Sequence, residues 1–394
     1  MAHTSSPPNS WLIAAICFGF AAASAATVVE SPPGPHAVGF RVVQQFDPSR
    51  SFEPNGRSGD PSTGASVSAR PVQTLIWYPA QRGDPSSRRV RYADYVATRF
   101  SETDFALAPE ALDAALARQE AAWRPRLGDG AARLLASERP VQRNAVEAEG
   151  RFPVIVYAAG GGGFADENAD LLEYLASHGY VVLASTSLAV NDKEIGDTMA
   201  SVEPQVADVR FLVDYAARVP GADPDHLAVV GWSWGGMVNV FAASRDERID
   251  AIVSLDGTRE PALTRRIDVR RLVVPWLYVS RSPDTIPEIN RSGIDTTFSL
   301  LNEARHADVD QLIMYPMQHV DFISRRLHES SAASYGEYTR GEIVQAYGMM
   351  AQYVRYYLDV ALKGSAEGER FLARTPRENG AVPHSLRWER RAAE

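Results

Sequence analysis

From Phe152 onward the chain alternates short runs that are apolar on every residue with stretches whose apolar residues recur every three or four positions. The runs are Val154–Ala158, Tyr180–Ala184, Leu227–Val230, Ile252–Leu255 and Leu272–Val279. A strand with one solvated face would alternate apolar and polar residues, so strands that are apolar throughout need cover on both faces. Between the runs, Leu171, Leu172 and Leu175 predict a helix closed by Gly179, and Val206, Val209 and Val213 predict another. A third helix follows Gly236, and Val344, Tyr347, Ala351, Val354 and Leu358 define an amphipathic helix near the C-terminus. The pattern predicts an α/β fold: a mostly parallel sheet with helices on both faces.

Upstream, Val72–Tyr78 reads as a strand ended by Pro79. Residues 88–150 break the alternation. Ser101-Glu-Thr-Asp104 predicts a helix cap, and Pro109 followed by Leu112, Leu116 and Trp123 gives one apolar helical face. The segment is read as a helical insertion or cap on a single α/β domain spanning 26–394. With 45% hydrophobic and 23% charged residues in 394, the chain can bury a large core. Its formal charge of −9 is spread without a basic run, which removes the electrostatic basis for nucleic-acid binding and leaves small molecules as the expected partners.

Trp11–Ala23 is apolar and is followed by Ala23-Ser24-Ala25, a small-x-small cleavage pattern. The run is shorter than the roughly 20 residues a span requires. Residues 1–25 are therefore expected to be a signal peptide, giving a periplasmic or secreted protein without stable membrane insertion after processing. The single cysteine, Cys17, lies inside this segment, so the mature chain would carry no thiol.

Gly231-Trp-Ser-Trp-Gly-Gly236 follows an apolar strand and precedes a helix, the context of a G-x-S-x-G elbow. The turn lifts Ser233 above the sheet, and small residues at 231 and 235 let strand and helix approach. A serine hydroxyl needs a base, and in such a fold the order along the chain is Ser, acid, His. His319 follows the strand-like Leu312–Tyr315 and is the expected base; His306 and His328 lie in polar, helix-like stretches and are read as surface residues. Asp256, after Ile252–Leu255, and Asp284, after Leu272–Val279, both satisfy the order. The expected oxyanion donors are the amides of Trp234 and of Gly161, within Ala158-Ala-Gly-Gly-Gly-Gly-Phe164. Trp232, Trp234 and Phe164 either line an apolar acyl pocket or belong to the core.

The glycine run also reads as Gly160-x-Gly162-x-x-Ala165, a dinucleotide fingerprint. That site wants an acidic residue after the next strand, where this chain has Ala184-Ser-Thr-Ser187. Nothing in the sequence calls for a cofactor, and no H-E-x-x-H or comparable cluster offers a metal site.

Over most of 38–362 the chain resembles the dienelactone-hydrolase-like branch of the α/β-hydrolases, and within it the platelet-activating-factor acetylhydrolase type. The resemblance rests on Asp47-Pro-Ser-Arg50, Arg70-Pro71, Ile76-Trp-Tyr-Pro-Ala80, Leu175-Ala-Ser-His-Gly-Tyr180, the elbow at 231–236, Ile252–Gly257 and His319-Val-Asp-Phe322. It implies a Ser-Asp-His triad, no cofactor and hydrolysis of short or accessible acyl esters, small or lipid-like. It also implies that the acid follows the earlier strand, which selects Asp256 in Leu255-Asp256-Gly257 over Asp284. The chain departs from the pattern at Ala159, where many relatives have His, and at Ser233, where true dienelactone hydrolases use cysteine. The elbow is also similar to the Gly-Trp-Ser-x-Gly-Gly of cutinase-like polyester hydrolases, which are smaller and lack an insertion like 88–150. The expected function is a serine carboxylic ester hydrolase working through an acyl-enzyme on Ser233. The alternatives are a polyester hydrolase, a peptidase or acyltransferase with the same triad, and a binding module on the same scaffold.

Overall fold

The computed structural model describes residues 28–52, 68–83, 87–257, 261–282 and 299–394. The expected signal peptide 1–25 and the alternative acid Asp284 lie outside these residues.

The fully apolar runs become adjacent central strands, because only there are both faces covered. In chain order the described strands are β1 (Ala37–Phe52), β2 (Ser68–Ala80), β3 (Arg88–Arg91), β4 (Glu138–Arg143), β5 (Phe152–Ala158), β6 (Val181–Ser185), β7 (Ala222–Trp232), β8 (Ala251–Leu255), β9 (Trp276–Arg281), β10 (Val309–Met314) and β11 (Leu386–Arg391). They form one sheet in the order β11-β10-β9-β8-β7-β5-β6-β2-β1-β4-β3. The stretch from β10 to β6 is parallel, while β2 pairs antiparallel with β6 and β11 antiparallel with β10. The carboxyl ends of β5, β7, β8 and β10 therefore open on the same side of the sheet.

The helices are α1 (Tyr92–Thr98), α2 (Pro109–Leu127), α3 (Gly130–Ala136), α4 (Ala169–Ser177), α5 (Met199–Ala216) and α6 (Trp234–Ala243), with a long helix Arg340–Lys363 near the C-terminus. Successive side chains of β5 point to opposite faces, as strand geometry requires. Ile155 and Tyr157 pack with Leu171, Leu172 and Leu175 of α4 and with Tyr347, Val354 and Leu358 of the long helix. Val154 and Val156 pack with Val206, Val209 and Val213 of α5 and Met237, Val238 and Phe241 of α6. Each such side chain is fully buried and stabilises the fold by about 1.5–3 kcal/mol relative to exposure. Among the described residues no helix is long and apolar enough to cross a membrane.

Segment 88–150 adds β3 and β4 at one sheet edge and α1–α3 around a small core of Tyr92, Val96, Trp123, Ala131 and Leu135. Three local expectations, one in this segment and two beyond it, are corrected. Ser101–Asp104 does not cap a helix; α2 starts at Pro109 after Ala108, without a side-chain cap. Ser101 Oγ instead donates to Gln73 Oε1 at 2.9 Å, and buried Glu102 takes the Lys193 ammonium at 2.7 Å. The strand expected to begin at Leu272 begins at Trp276, because Val269–Arg271 form a 3₁₀ turn and Pro275 has no amide for the ladder. His306 is exposed, but His328 is not a surface residue: its Nε2 lies 2.8 Å from Asp170 Oδ2 with the side chain nearly buried. Asp170 also pairs with buried Arg139 at 2.7 Å, which pairs in turn with Glu173 at 2.7 Å. Arg99 of the insertion bridges Asp166 at 2.6 Å and Glu329 at 2.8 Å. The insertion is thus tied to α4 and to residues 324–329 by buried ion pairs, whose loss on one side leaves an unpaired buried charge.

Candidate active site

The turn from β7 into α6 places Ser233 at φ +54°, a conformation that L side chains rarely adopt and that the surrounding contacts enforce. Its amide donates to the Leu255 carbonyl of β8 at 2.9 Å. The flanking glycines are required by space. A Cβ on Gly235 would stand 2.1 Å from the Ala158 carbonyl oxygen, and one on Gly231 would stand 2.6 Å from the Gly235 carbonyl carbon. The result is a half-buried serine whose hydroxyl projects above the carboxyl ends of β5, β7 and β8.

Ser233 Oγ lies 2.8 Å from Nε2 of His319, and Nδ1 of His319 lies 2.6 Å from Oδ2 of Asp256. With the proton on Nδ1, the imidazole donates to the carboxylate and accepts from the serine hydroxyl. His319 opens a short 3₁₀ turn, His319–Phe322, just beyond β10. Asp256 leaves β8 at φ +49°, and its amide donates to the Val279 carbonyl at 2.7 Å. Its buried carboxylate also accepts the Arg281 amide at 3.1 Å and lies 3.1 Å from the Arg281 guanidinium. Gly257 follows because a Cβ there would meet the Ser233 carbonyl oxygen at 2.5 Å.

Opposite the serine, the loop after β5 is held from several sides. The Ala159 carbonyl accepts from Gln205 Nε2 at 2.8 Å, the Gly160 amide donates to Glu167 Oε1 at 2.9 Å, and the Gly163 carbonyl accepts from Thr186 Oγ1 at 2.8 Å. Gly162 sits at φ +64°, which only glycine adopts at little cost. A Cβ on Gly161 would lie 3.5 Å from Trp234 Cβ, so the two residues expected to supply oxyanion donors are neighbours at the elbow. Burial pushes the Glu167 carboxyl up to about 7, although the Gly160 amide, Arg325 and the Tyr157 hydroxyl all favour its ionised form.

The three aromatic residues separate. Trp234 is buried against the α5–α6 side of the sheet and belongs to the core. Phe164 is approached over its ring by Lys193 at 3.7 Å and by Arg99 and Arg325 at 5.1 Å each. Trp232 alone of the three lines a cleft of about 350 Å³, with Val320, Ile323 and Arg325 and with Arg126 from α2. Glu167, Gln205 and Arg281 were not legible as site residues: Gln205 and Arg281 act through partners 46 and 25 positions away, and Glu167 lies in the polar run Asp166-Glu-Asn-Ala-Asp170, which carries no local sign of burial.

The sheet order, the strained serine and the Ser–His–Asp geometry define an α/β-hydrolase. Residues 142–318 match the model of the dienelactone hydrolase family, and the chain is a dienelactone-hydrolase-like α/β-hydrolase, an enzyme of the carboxylic ester hydrolase class. No curated protein matches it in sequence. Among solved structures it is similar to a ferulic acid esterase from Streptomyces cinnamoneus, with a TM-score of 0.59 and 19% identity over 91% of this chain and 98% of that one. At that identity the likeness speaks for the fold.

Proposed function

We propose that the protein hydrolyses carboxylic esters through an acyl-enzyme on Ser233, with His319 as general base and Asp256 as the group that orients it. The observation that carries this reading is the continuous chain of contacts, 2.8 Å from Ser233 Oγ to His319 Nε2 and 2.6 Å from His319 Nδ1 to Asp256 Oδ2. His319 takes the serine proton as Oγ attacks the ester carbonyl, and buried Asp256 stabilises the imidazolium that forms. The amides of Gly161 and Trp234 receive the developing oxyanion. His319 then returns the proton to the departing alcohol, and water drawn into the same position releases the acid.

The neighbouring structure's action on ferulic acid esters and the Trp232-lined cleft both favour an acyl or alcohol group large enough to reach that cleft. The test is labelling by a fluorophosphonate probe. The folded protein should be modified at Ser233, and Ser233→Ala should be neither labelled nor active while melting at the wild-type temperature. A folded, unlabelled wild-type protein would make the scaffold a binding module instead.

A further inference from the structure

We infer that Glu167 is a positioning residue for the oxyanion loop, holding the Gly160 amide inward so that the next amide, that of Gly161, is presented to the substrate. The assignment rests on the triad reading above and extends it to a residue that touches no reacting atom.

The geometry is specific. Glu167 lies fully buried, and one of its carboxylate oxygens accepts both the Gly160 amide at 2.9 Å and the Tyr157 hydroxyl at 3.0 Å. Tyr157 stands on β5, so the carboxylate fixes the first turn of the loop to the strand that precedes it. The second oxygen is buried without a hydrogen-bond partner and packs where a Cβ on Gly163 would come within 2.2 Å. The backbone of the same residue faces the other way: the Glu167 carbonyl accepts the Arg325 amide at 2.9 Å, from the segment that follows His319. Glu167 therefore joins three pieces of the site, β5, the glycine loop and the segment beyond the base.

A buried carboxyl group with one unpartnered oxygen is a costly choice for a packing role, because an apolar side chain of similar size would leave no polar atom unsatisfied. What the carboxylate supplies that an apolar side chain cannot is an acceptor for the Gly160 amide. Without it, that amide would be free to turn toward the elbow and the Gly161 amide away from it. The charged groups around Glu167 are Asp166 on its own segment, Arg325 beyond the base and Lys193 across the Phe164 ring, with Arg99 paired to Asp166.

The test compares Glu167→Met, which fills the space without an acceptor, with Glu167→Gln, which keeps one. Glu167→Met should lower kcat on an activated ester at least about tenfold, a fraction of the roughly 10²–10³ for outright loss of an oxyanion donor, with KM within about twofold. Fluorophosphonate labelling should slow in parallel, while Tm is unchanged or raised. Glu167→Gln should restore kcat to within about threefold of wild type. The assignment is overturned if folded Glu167→Met keeps wild-type kcat, if the Gln variant is as impaired as the Met variant, or if neither folds. Absence of labelling in the wild-type protein would sink the nucleophile reading itself, whereas a labelled wild type with an unaffected Met variant sinks only the role of Glu167.

Discussion

The indole of Trp232 lies against the imidazole of His319, ring centroids 5.0 Å apart, and its Nε1 donates to the His319 backbone carbonyl at 2.9 Å. The residue before the proposed nucleophile thus holds the residue proposed as its base. A Cβ on Gly160 would come within 2.4 Å of that indole, so the glycine loop in turn limits where Trp232 can move. Trp232→Phe keeps the ring contact and removes the hydrogen bond, worth about 1 kcal/mol. We expect kcat/KM to fall several-fold with little change in Tm, measurable by steady-state kinetics on an activated ester. A drop in Tm with unchanged kinetics would make the contact purely structural.

Asp256→Asn should preserve the fold and lower kcat by about 10⁴, because the amide favours the wrong imidazole tautomer. The Arg281 amide can still be accepted by the Asn side-chain oxygen, but the Arg281 guanidinium loses its ionic partner, so a large loss of kcat in a folded protein with a lowered Tm is the expected pattern. A nearly silent Asp256→Asn would move the acid to another residue.

The glycines of the elbow should differ sharply in tolerance. Gly235→Ala drives its Cβ to 2.1 Å from one backbone carbonyl oxygen and 2.6 Å from another, whereas Gly236→Ala meets its nearest neighbours at 3.1–3.4 Å. The first substitution should cost at least about 3 kcal/mol or prevent folding, and the second should cost less than half of that. Chemical denaturation of the two variants distinguishes them.

What was legible from sequence divides along the same line. Strands such as Val154–Ala158 and Leu227–Val230 announce themselves because burial on both faces leaves no polar position, and the elbow does so because its glycines answer a local steric need. Chain order alone left Asp256 as one of two candidates and only the family resemblance selected it, because its carboxylate reaches His319 across 63 positions from a positive φ at the end of β8, which no local pattern reveals. Ser101–Asp104 and His328 were misread for the opposite reason. Their side chains follow partners from other parts of the chain, Gln73, Lys193 and Asp170, that no local pattern reveals.

Stability should respond to pH through two buried carboxyls of opposite sense. Burial raises the Glu167 carboxyl to about 7, so between the unfolded value near 4.5 and pH 7 the folded state retains a proton that the unfolded chain has lost. Its contribution to stability therefore declines as pH rises through that window. Burial works against ionised Asp170 too, but Arg139 and His328 outweigh it and hold that carboxyl well below the usual range. Its contribution is present above the unfolded value of about 3.8 and is lost as pH falls through the folded one. Melting curves between pH 4 and 8 should show Glu167→Gln losing less stability than wild type on going from pH 5 to pH 8. Asp170→Asn should be destabilised at pH 7 by about 3–5 kcal/mol, as expected when one partner of a buried pair is removed.

Arg126 of α2 donates to the Glu329 carbonyl at 2.7 Å and forms one wall of the Trp232 cleft. Arg126→Ala should change the ratio of kcat/KM between bulky and acetyl esters several-fold, more than it changes the acetyl value alone. Equal loss on both would place the insertion outside substrate selection.

Asn168 lies one residue beyond Glu167, and its side chain binds the stretch that follows the base: its amide donates to the Phe322 carbonyl at 3.2 Å, and its oxygen accepts the Ser324 amide at 3.1 Å. The Tyr347 hydroxyl, from the long helix, donates to the same oxygen. The glycine loop and the histidine turn are thus clasped to one another and to the core before either meets a substrate. Local opening of this clasp would release the proposed oxyanion donors and the proposed base in the same event, so protection from hydrogen exchange at 160–168 and at 319–325 should rise and fall together. An enzyme that opens in this way would not wear down through partly competent forms as it loosens. On that expectation each molecule would have its whole reaction centre or none of it, and warming would thin the active population rather than fill it with partly competent molecules.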